Sequence, residues 1–291
     1  MTVFSRTASG LANYHKFHGA DFTAYVEGKS DNRETEAIVK TNDIYYYEYL
    51  LRAASRGKNP KIKCVGNKES AFEYARKIRE GGIPGSIVIV DKDLEGLTSS
   101  PLDQYPVIRT FGYSWENEIW TPSTMSAILD TLTNGNPLAT AEVKKYAPLL
   151  AKRLKFLSSL DAAAQTHGIA LLKKTSSLCG VSFNFPRVSV TEVARLSDKF
   201  RASPAFACGV SREVVRDGLR LDPRQVIQGH FWSNVAQRLV AHIYKKLTKD
   251  VTPSNALLTH LALSHMRRDA SNAVGNDIVA RYGLELARYG I

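Results

Sequence analysis

The sequence predicts an α/β fold, with a small parallel sheet and flanking helices in front and a mainly helical region behind. Three observations carry this. Two β-rich apolar runs, Ala24-Tyr-Val26 and Ile87-Val-Ile-Val90, each stop at a carboxylate, Glu27 and Asp91. A strand buried in a parallel sheet reads as such a run, with polar chemistry at its carboxyl end. Strand-like and helix-like segments alternate up to Thr110, and after Trp120-Thr-Pro122 the patterns turn helical.

Residues 21–27 form the expected first strand. The charged stretch Asp31 to Thr41 reads as a loop or helix start, and Asn42-Asp43 caps an amphipathic helix through Ala54, ended by Ser55-Arg56-Gly57. Lys61 to Val65 is the second strand, Gly66-Asn67-Lys68 a tight loop, and Glu69 to Glu80 a helix stopped by Gly81-Gly82. Ile87 to Val90 and Val107 to Thr110 are the third and fourth strands. Behind them, Ser123–Leu132, Ala139–Asp161, Val190–Phe200, Pro223–Leu247 and Ser254–Met266 read as helices separated by Gly, Pro and Ser. The expected boundary lies near residue 122, with residues 1–122 as one domain and 123–291 as the other.

At 291 residues, 44% hydrophobic and 23% charged, the composition is that of a soluble globular protein. No apolar run is long enough to span a bilayer, and the N-terminus lacks a signal-peptide core. Cys64, Cys179 and Cys208 form no C-x-x-C pair, so a disulfide framework or a zinc site is not expected and a reducing cytoplasm fits. The formal net charge of +11 favours polyanionic partners. Lys152-Arg153-Lys155, Lys173-Lys174, Lys245-Lys246 and Arg267-Arg268 are the candidate nucleic-acid track, although each alone reads as a solvated helix face.

In open α/β sheets ligands sit at the carboxyl ends of strands. Glu27, Asp91 and Asp93 are therefore expected to converge there, and hard oxygen donors without sulfur or imidazole favour Mg²⁺ or Mn²⁺. Asp91 and Asp93 converge only if the strand ends at Asp91 and the chain turns, which Asp-Lys-Asp-Leu-Glu-Gly allows. Glu27 would serve as metal ligand or as general base for a water. Glu116 and Glu118 follow the fourth strand; each is a further candidate ligand or an acid at a helix N-terminus, with Glu116 the better ligand. Lys68 is a candidate phosphate contact, and His230 a candidate substrate contact or helix cap. Tyr45, Tyr46, Tyr47 and Tyr49 resemble base-stacking platforms, but helical spacing splits them over two faces. Gly28-Lys29-Ser30 mimics a phosphate-binding loop. However, the glycine that such a loop needs five residues earlier is Thr23, and Glu27 would oppose the phosphates.

A glutamate ending one strand and Asp-x-Asp ending another resemble the TOPRIM pattern of primases, topoisomerases and OLD-family nucleases. More narrowly, Val26-Glu-Gly-Lys-Ser-Asp31, Gly66-Asn67-Lys68 and Tyr113-Ser-Trp-Glu-Asn-Glu118 resemble the TOPRIM-like nuclease effectors of prokaryotic anti-phage loci of the PARIS type. The resemblance covers about residues 20–120, and Gln228-Gly229-His230 supports it in the helical region. It implies a TOPRIM-like catalytic domain and a helical domain for substrate binding or dimerisation. It further implies a metal held by Glu27, Asp91 and Asp93, with Lys29 facing a phosphate. The implied activity is that of an endoribonuclease toxin, held by an ABC-type ATPase partner and cleaving host tRNA as a dimer once released. The charged insert Asn32 to Lys40 departs from the simplest form of the pattern. Two other readings stand beside this one: a DNA nickase or topoisomerase-like strand breaker using a tyrosine, and a non-catalytic basic adaptor.

Overall fold

The computed structural model describes residues 8–28, 41–98, 107–169, 171–172, 183–184, 187–188, 195, 198–202 and 209–291. It is a mixed α/β structure built on a four-stranded parallel sheet in the order β2-β1-β3-β4. The strands are β1 (Phe22–Val26), β2 (Pro60–Cys64), β3 (Ser86–Val90) and β4 (Ile108–Arg109). All residues of β1 and β3 are buried, which is why both read as unbroken runs rather than alternating ones. Strand β2 alternates buried and half-buried residues and starts at Pro60, as suits an edge strand whose first residue lacks an amide donor.

The described residues divide into two compact units. Unit 1 comprises Met1–Asp91, Leu102–Thr110 and Met266–Ile291; unit 2 comprises Lys92–Pro101 and Phe111–His265.

In unit 1, the helix Asn42–Ala54 buries Ile44, Tyr47 and Leu51 along one stripe, with Tyr46 and Leu50 beside it. Tyr45 and Tyr49 lie on the other side and stack on each other at 6.0 Å. The helix Lys68–Glu80 is capped by Asn67, whose Oδ1 accepts from the Ser70 amide at 3.0 Å. Its buried Ala71, Ala75 and Ile78 join Tyr25, Val88 and Val90 in the core on one face of the sheet. The C-terminal helix Asn276–Arg288 packs on Asn42–Ala54. Close approach is possible because Gly283 has no side chain: a Cβ there would lie 3.1 Å from the Ala54 carbonyl oxygen.

Unit 2 is mainly helical, with Trp115–Ile119, Pro122–Leu132, the long helix Pro137–Gln165, Gly209–Arg220 and Gly229–Thr248. The long helix runs through Pro148 and buries Val143, Ala147, Leu150, Leu154 and Leu157. Asp161 is buried within it. Its Oδ1 accepts the Leu171 and Leu172 amides, each at 2.9 Å, and its Oδ2 accepts from Gln165 at 2.6 Å. Asp161→Ala is expected to lower stability by about 2 kcal/mol, because two buried amides lose a charged acceptor. A denaturant midpoint equal to that of the unsubstituted protein would contradict this.

One helix expectation is corrected. The helix expected at Pro223–Leu247 starts instead at Gly229. Asp222 caps only a 3₁₀ turn, Pro223–Gln225, by accepting the Arg224 amide at 2.8 Å. The helix expected at Val190–Phe200 lies outside the described residues except at 195 and 198–200, which are helical. An antiparallel pairing of Phe183–Asn184 with Arg187–Val188 adds a short ribbon that the sequence reading did not contain. Among the described residues no helix is long and apolar enough to cross a membrane.

Candidate functional site

Strand β1 is followed in sequence by β2 on one side of it and then by β3 on the other, so β1 and β3 flank the point where the strand order reverses. Open α/β sheets bind ligands at the carboxyl ends of such a pair. Glu27 directly follows β1, and Asp91 directly follows β3. The Asp91 amide donates to Glu27 Oε2 at 3.3 Å, and Lys68 Nζ donates to the Asp91 carbonyl oxygen at 2.6 Å. Both backbone groups of Asp91 are therefore held by candidate site residues, and the Asp91 carboxylate takes no part in either bond. All three residues are half-buried.

Two glycines shape the neighbouring loops. Gly28 and Gly66 exchange backbone hydrogen bonds of 2.9 and 3.0 Å, tying the end of β1 to the loop before the helix Lys68–Glu80. Gly66 has φ +103°, a conformation that side chains oppose. A Cβ at Gly28 would meet Cys64 Sγ at 3.3 Å and Asp43 Cγ at 3.6 Å. Asp43 therefore lies over the Gly28 backbone, beside Glu27 in the chain. The sequence reading had it only as a helix cap, since an acid in a first turn carries no sign of what lies across from it. Lys29 lies outside the described residues.

Strand β3 ends at Val90. Asp93 has φ +52°, and its amide donates to the Tyr113 carbonyl at 2.8 Å within unit 2.

Unit 2 also holds Glu116, Glu118 and His230. Glu118 is fully buried and accepts the Phe111 and Gly112 amides at 2.5 and 3.3 Å, which ties it to the turn that leads into its own helix. Glu116 accepts from Ser114 Oγ at 2.5 Å and pairs through Oε1 with His230 Nδ1 at 2.8 Å. The carboxylate is 8% exposed and the imidazole 91% exposed, so a buried acid orients a histidine at the surface. Gly229 makes room for this arrangement, because a Cβ there would fall 1.7 Å from Ser114 Oγ. Asn117 completes it by accepting the Ser114 amide at 3.1 Å and donating to the Ile227 carbonyl at 2.8 Å. Ser114 is the residue that sequence reasoning missed here, although Ser-x-x-Asn before a helix is a capping signal.

The donor set at the strand ends is entirely oxygen. Mg²⁺ is often held by one or two carboxylates, with water and substrate phosphate completing its shell. Glu27 and Asp91 fit that demand. Among the described residues no group of three or more His, Cys, Asp or Glu side chains is placed to hold a metal.

Farther along unit 2, Arg224 makes a two-point pair with Asp222 (Nε–Oδ1 3.1 Å, Nη2–Oδ2 3.0 Å) and lies over the Phe111 ring at 4.8 Å. Burial raises the Asp222 pKa, but hydrogen bonds and charge from Arg224 outweigh it and leave the pKa below its ordinary 3.8. A depressed carboxylate stabilises the fold above its unfolded pKa, and that contribution is lost as pH falls through the folded value. Asp222→Asn is thus expected to flatten the fall in stability below about pH 4. An unchanged acid limb in urea unfolding would refute it.

The fold and its strand ends define a mixed α/β protein in which Glu27 and Asp91 follow the two strands at the switch point of a small parallel sheet. In comparisons with known proteins, no family model and no curated protein matches the chain.

Proposed function

We propose that the protein is a metal-dependent phosphodiesterase of TOPRIM type, acting on RNA. The observation that carries this reading is the Glu27 carboxylate accepting the Asp91 amide at the β1/β3 switch point. Glu27 and Asp91 would hold the divalent ion, which when bound stabilises charge on the phosphoryl oxygens and lowers the pKa of a water. Lys68 donates to the Asp91 carbonyl at the end of β3, and its cation would meet a phosphate approaching that strand end. Asp93 and Glu116 are separate candidate ligands within unit 2. His230, oriented by Glu116, is a candidate substrate contact.

The net charge of +11 supports a polyanionic substrate. tRNA as that substrate, an ABC-type ATPase as the restraining partner, a homodimeric active form and a role in anti-phage defence rest on the motif resemblance alone. The test is incubation of the purified protein with tRNA and with supercoiled plasmid, each with Mg²⁺ and with EDTA. Cleavage of tRNA only with Mg²⁺ is the expected result. Nicking of the plasmid alone would support a DNA strand breaker, and no cleavage of either would favour a binding role.

A further inference from the structure

Within unit 2 a pocket of about 320 Å³ opens beside the long helix Pro137–Gln165. The residues lining it include Trp120, Trp232, Pro122, Pro148 and Pro223, with the Asp222–Arg224 pair contributing the charged groups. Flat, apolar walls of this kind lose little side-chain entropy on binding, and a few placed polar groups set orientation. The Trp232 indole is fixed by donation to the Trp120 carbonyl at 3.0 Å, and Arg224 by Asp222 and the Phe111 ring. The site is therefore formed before anything enters it.

Pro148 belongs both to the pocket and to an exposed strip of the helix. Residues 144, 145, 148, 149, 152 and 153 are all exposed. Their spacing in steps of four places them along one side. Four of the six are cations, Lys144, Lys145, Lys152 and Arg153, and none is acidic. Glu142, one turn earlier, is paired with Lys246 at 2.6 Å. A pair of cations thus stands about one 5.4 Å turn to either side of the pocket's Pro148 wall.

We propose that this pocket takes an unstacked nucleobase of single-stranded RNA while the strand's phosphates follow the ridge Lys144, Lys145, Lys152 and Arg153. A basic track combined with aromatic walls is how proteins hold single strands, the bases against flat side chains and the backbone against cations. Asp222 and Arg224 supply an acceptor and a donor for the polar edge of the base. The proposal deepens the reading above by placing its polymer, and rests on it only for the choice of RNA.

The test uses the full chain in EDTA, so that binding is read without hydrolysis. A labelled RNA octamer and the same octamer with abasic central positions are titrated by fluorescence anisotropy. Trp120 and Trp232, two of the chain's three tryptophans, report insertion by quenching. The complete octamer is expected to bind at least about fivefold tighter than the abasic one. Ala151→Trp, which fills the pocket, should remove that difference and leave the salt dependence in place. Lys144→Ala and Lys152→Ala should each reduce the log–log salt slope by about 0.7.

Equal affinity for the two octamers overturns the proposal and leaves the pocket to an apolar side chain of a protein partner. So does a folded Ala151→Trp variant that keeps the difference. If that variant does not fold, the comparison on the unsubstituted protein decides. Failure of tRNA cleavage together with base-dependent binding would reject the nuclease and keep this site.

Discussion

Glu27→Gln and Asp91→Asn are each expected to lower Mg²⁺-dependent cleavage by at least about 100-fold while leaving the fold intact. Gln keeps an oxygen that can accept the Asp91 amide, so the contact between β1 and β3 survives while the charge on Glu27 is lost. Asn at position 91 leaves alone the two backbone groups that Glu27 and Lys68 hold. The melting temperature should stay level or rise, since removing one of two neighbouring carboxylates relieves repulsion in the metal-free protein. The outcome separates two roles for the same atoms. If these residues serve only to close the ends of β1 and β3, both variants spare cleavage as well as the fold. Thermal unfolding and tRNA cleavage on the same preparations decide, and full activity in both variants would remove the proposed metal site. A parallel Lys68→Ala variant should weaken both readouts, because its ammonium contacts the backbone at the end of β3.

How much of this was legible differed by element, for physical reasons. Strands β1 and β3 announce themselves because both faces are buried, which favours a mainly apolar run up to the half-buried carboxylate that follows each. The helix Lys68–Glu80 was legible from its two closing glycines, whereas Asn67, which reads as part of a tight loop, proves to be its cap. The helix Asn276–Arg288 was not legible. Gly283 disfavours a helix locally, and its reason lies across a helix–helix contact, at the Ala54 carbonyl. Pro223 misled because proline favours the first turn of any helix, and only the Asp222 cap geometry reveals a 3₁₀ turn that stops at Gln225. At the strand ends, Glu27 and the Asp91 backbone come together because β3 lies beside β1 in the sheet. Asp43 was not legible, since its position over Gly28 depends on a missing side chain. The pairing of Glu116 with His230 joins residues far apart in the chain, and no local pattern encodes it.

Gly229→Ala should produce the largest loss of stability of any Gly→Ala change at the described glycines of unit 2. The new Cβ would stand 1.7 Å from Ser114 Oγ and 2.9 Å from Glu116 Oε2, distances no rotamer of alanine can relieve. Either the Ser114 hydroxyl rotates off Glu116, or the start of the helix Gly229–Thr248 or the Ser114 turn moves away, and overpacking of this kind costs about 2 kcal/mol. Ser114→Ala alone should cost about 1 kcal/mol, by deleting the hydrogen bond to Glu116 at the helix cap. The two changes are not independent, because the hydroxyl that the first collides with is the atom that the second removes. In the double variant the remaining conflict is with Ser114 Cβ, 3.0 Å away, and with the Glu116 carboxylate. Urea unfolding of the four proteins should therefore show a favourable coupling of at least about 1 kcal/mol. Costs that simply add would mean that Gly229 is present for some other reason. The same displacement should pull His230 off Glu116, since the histidine follows Gly229 directly in the chain. Its imidazole resonances should then move in Gly229→Ala and return toward their original positions in the double variant.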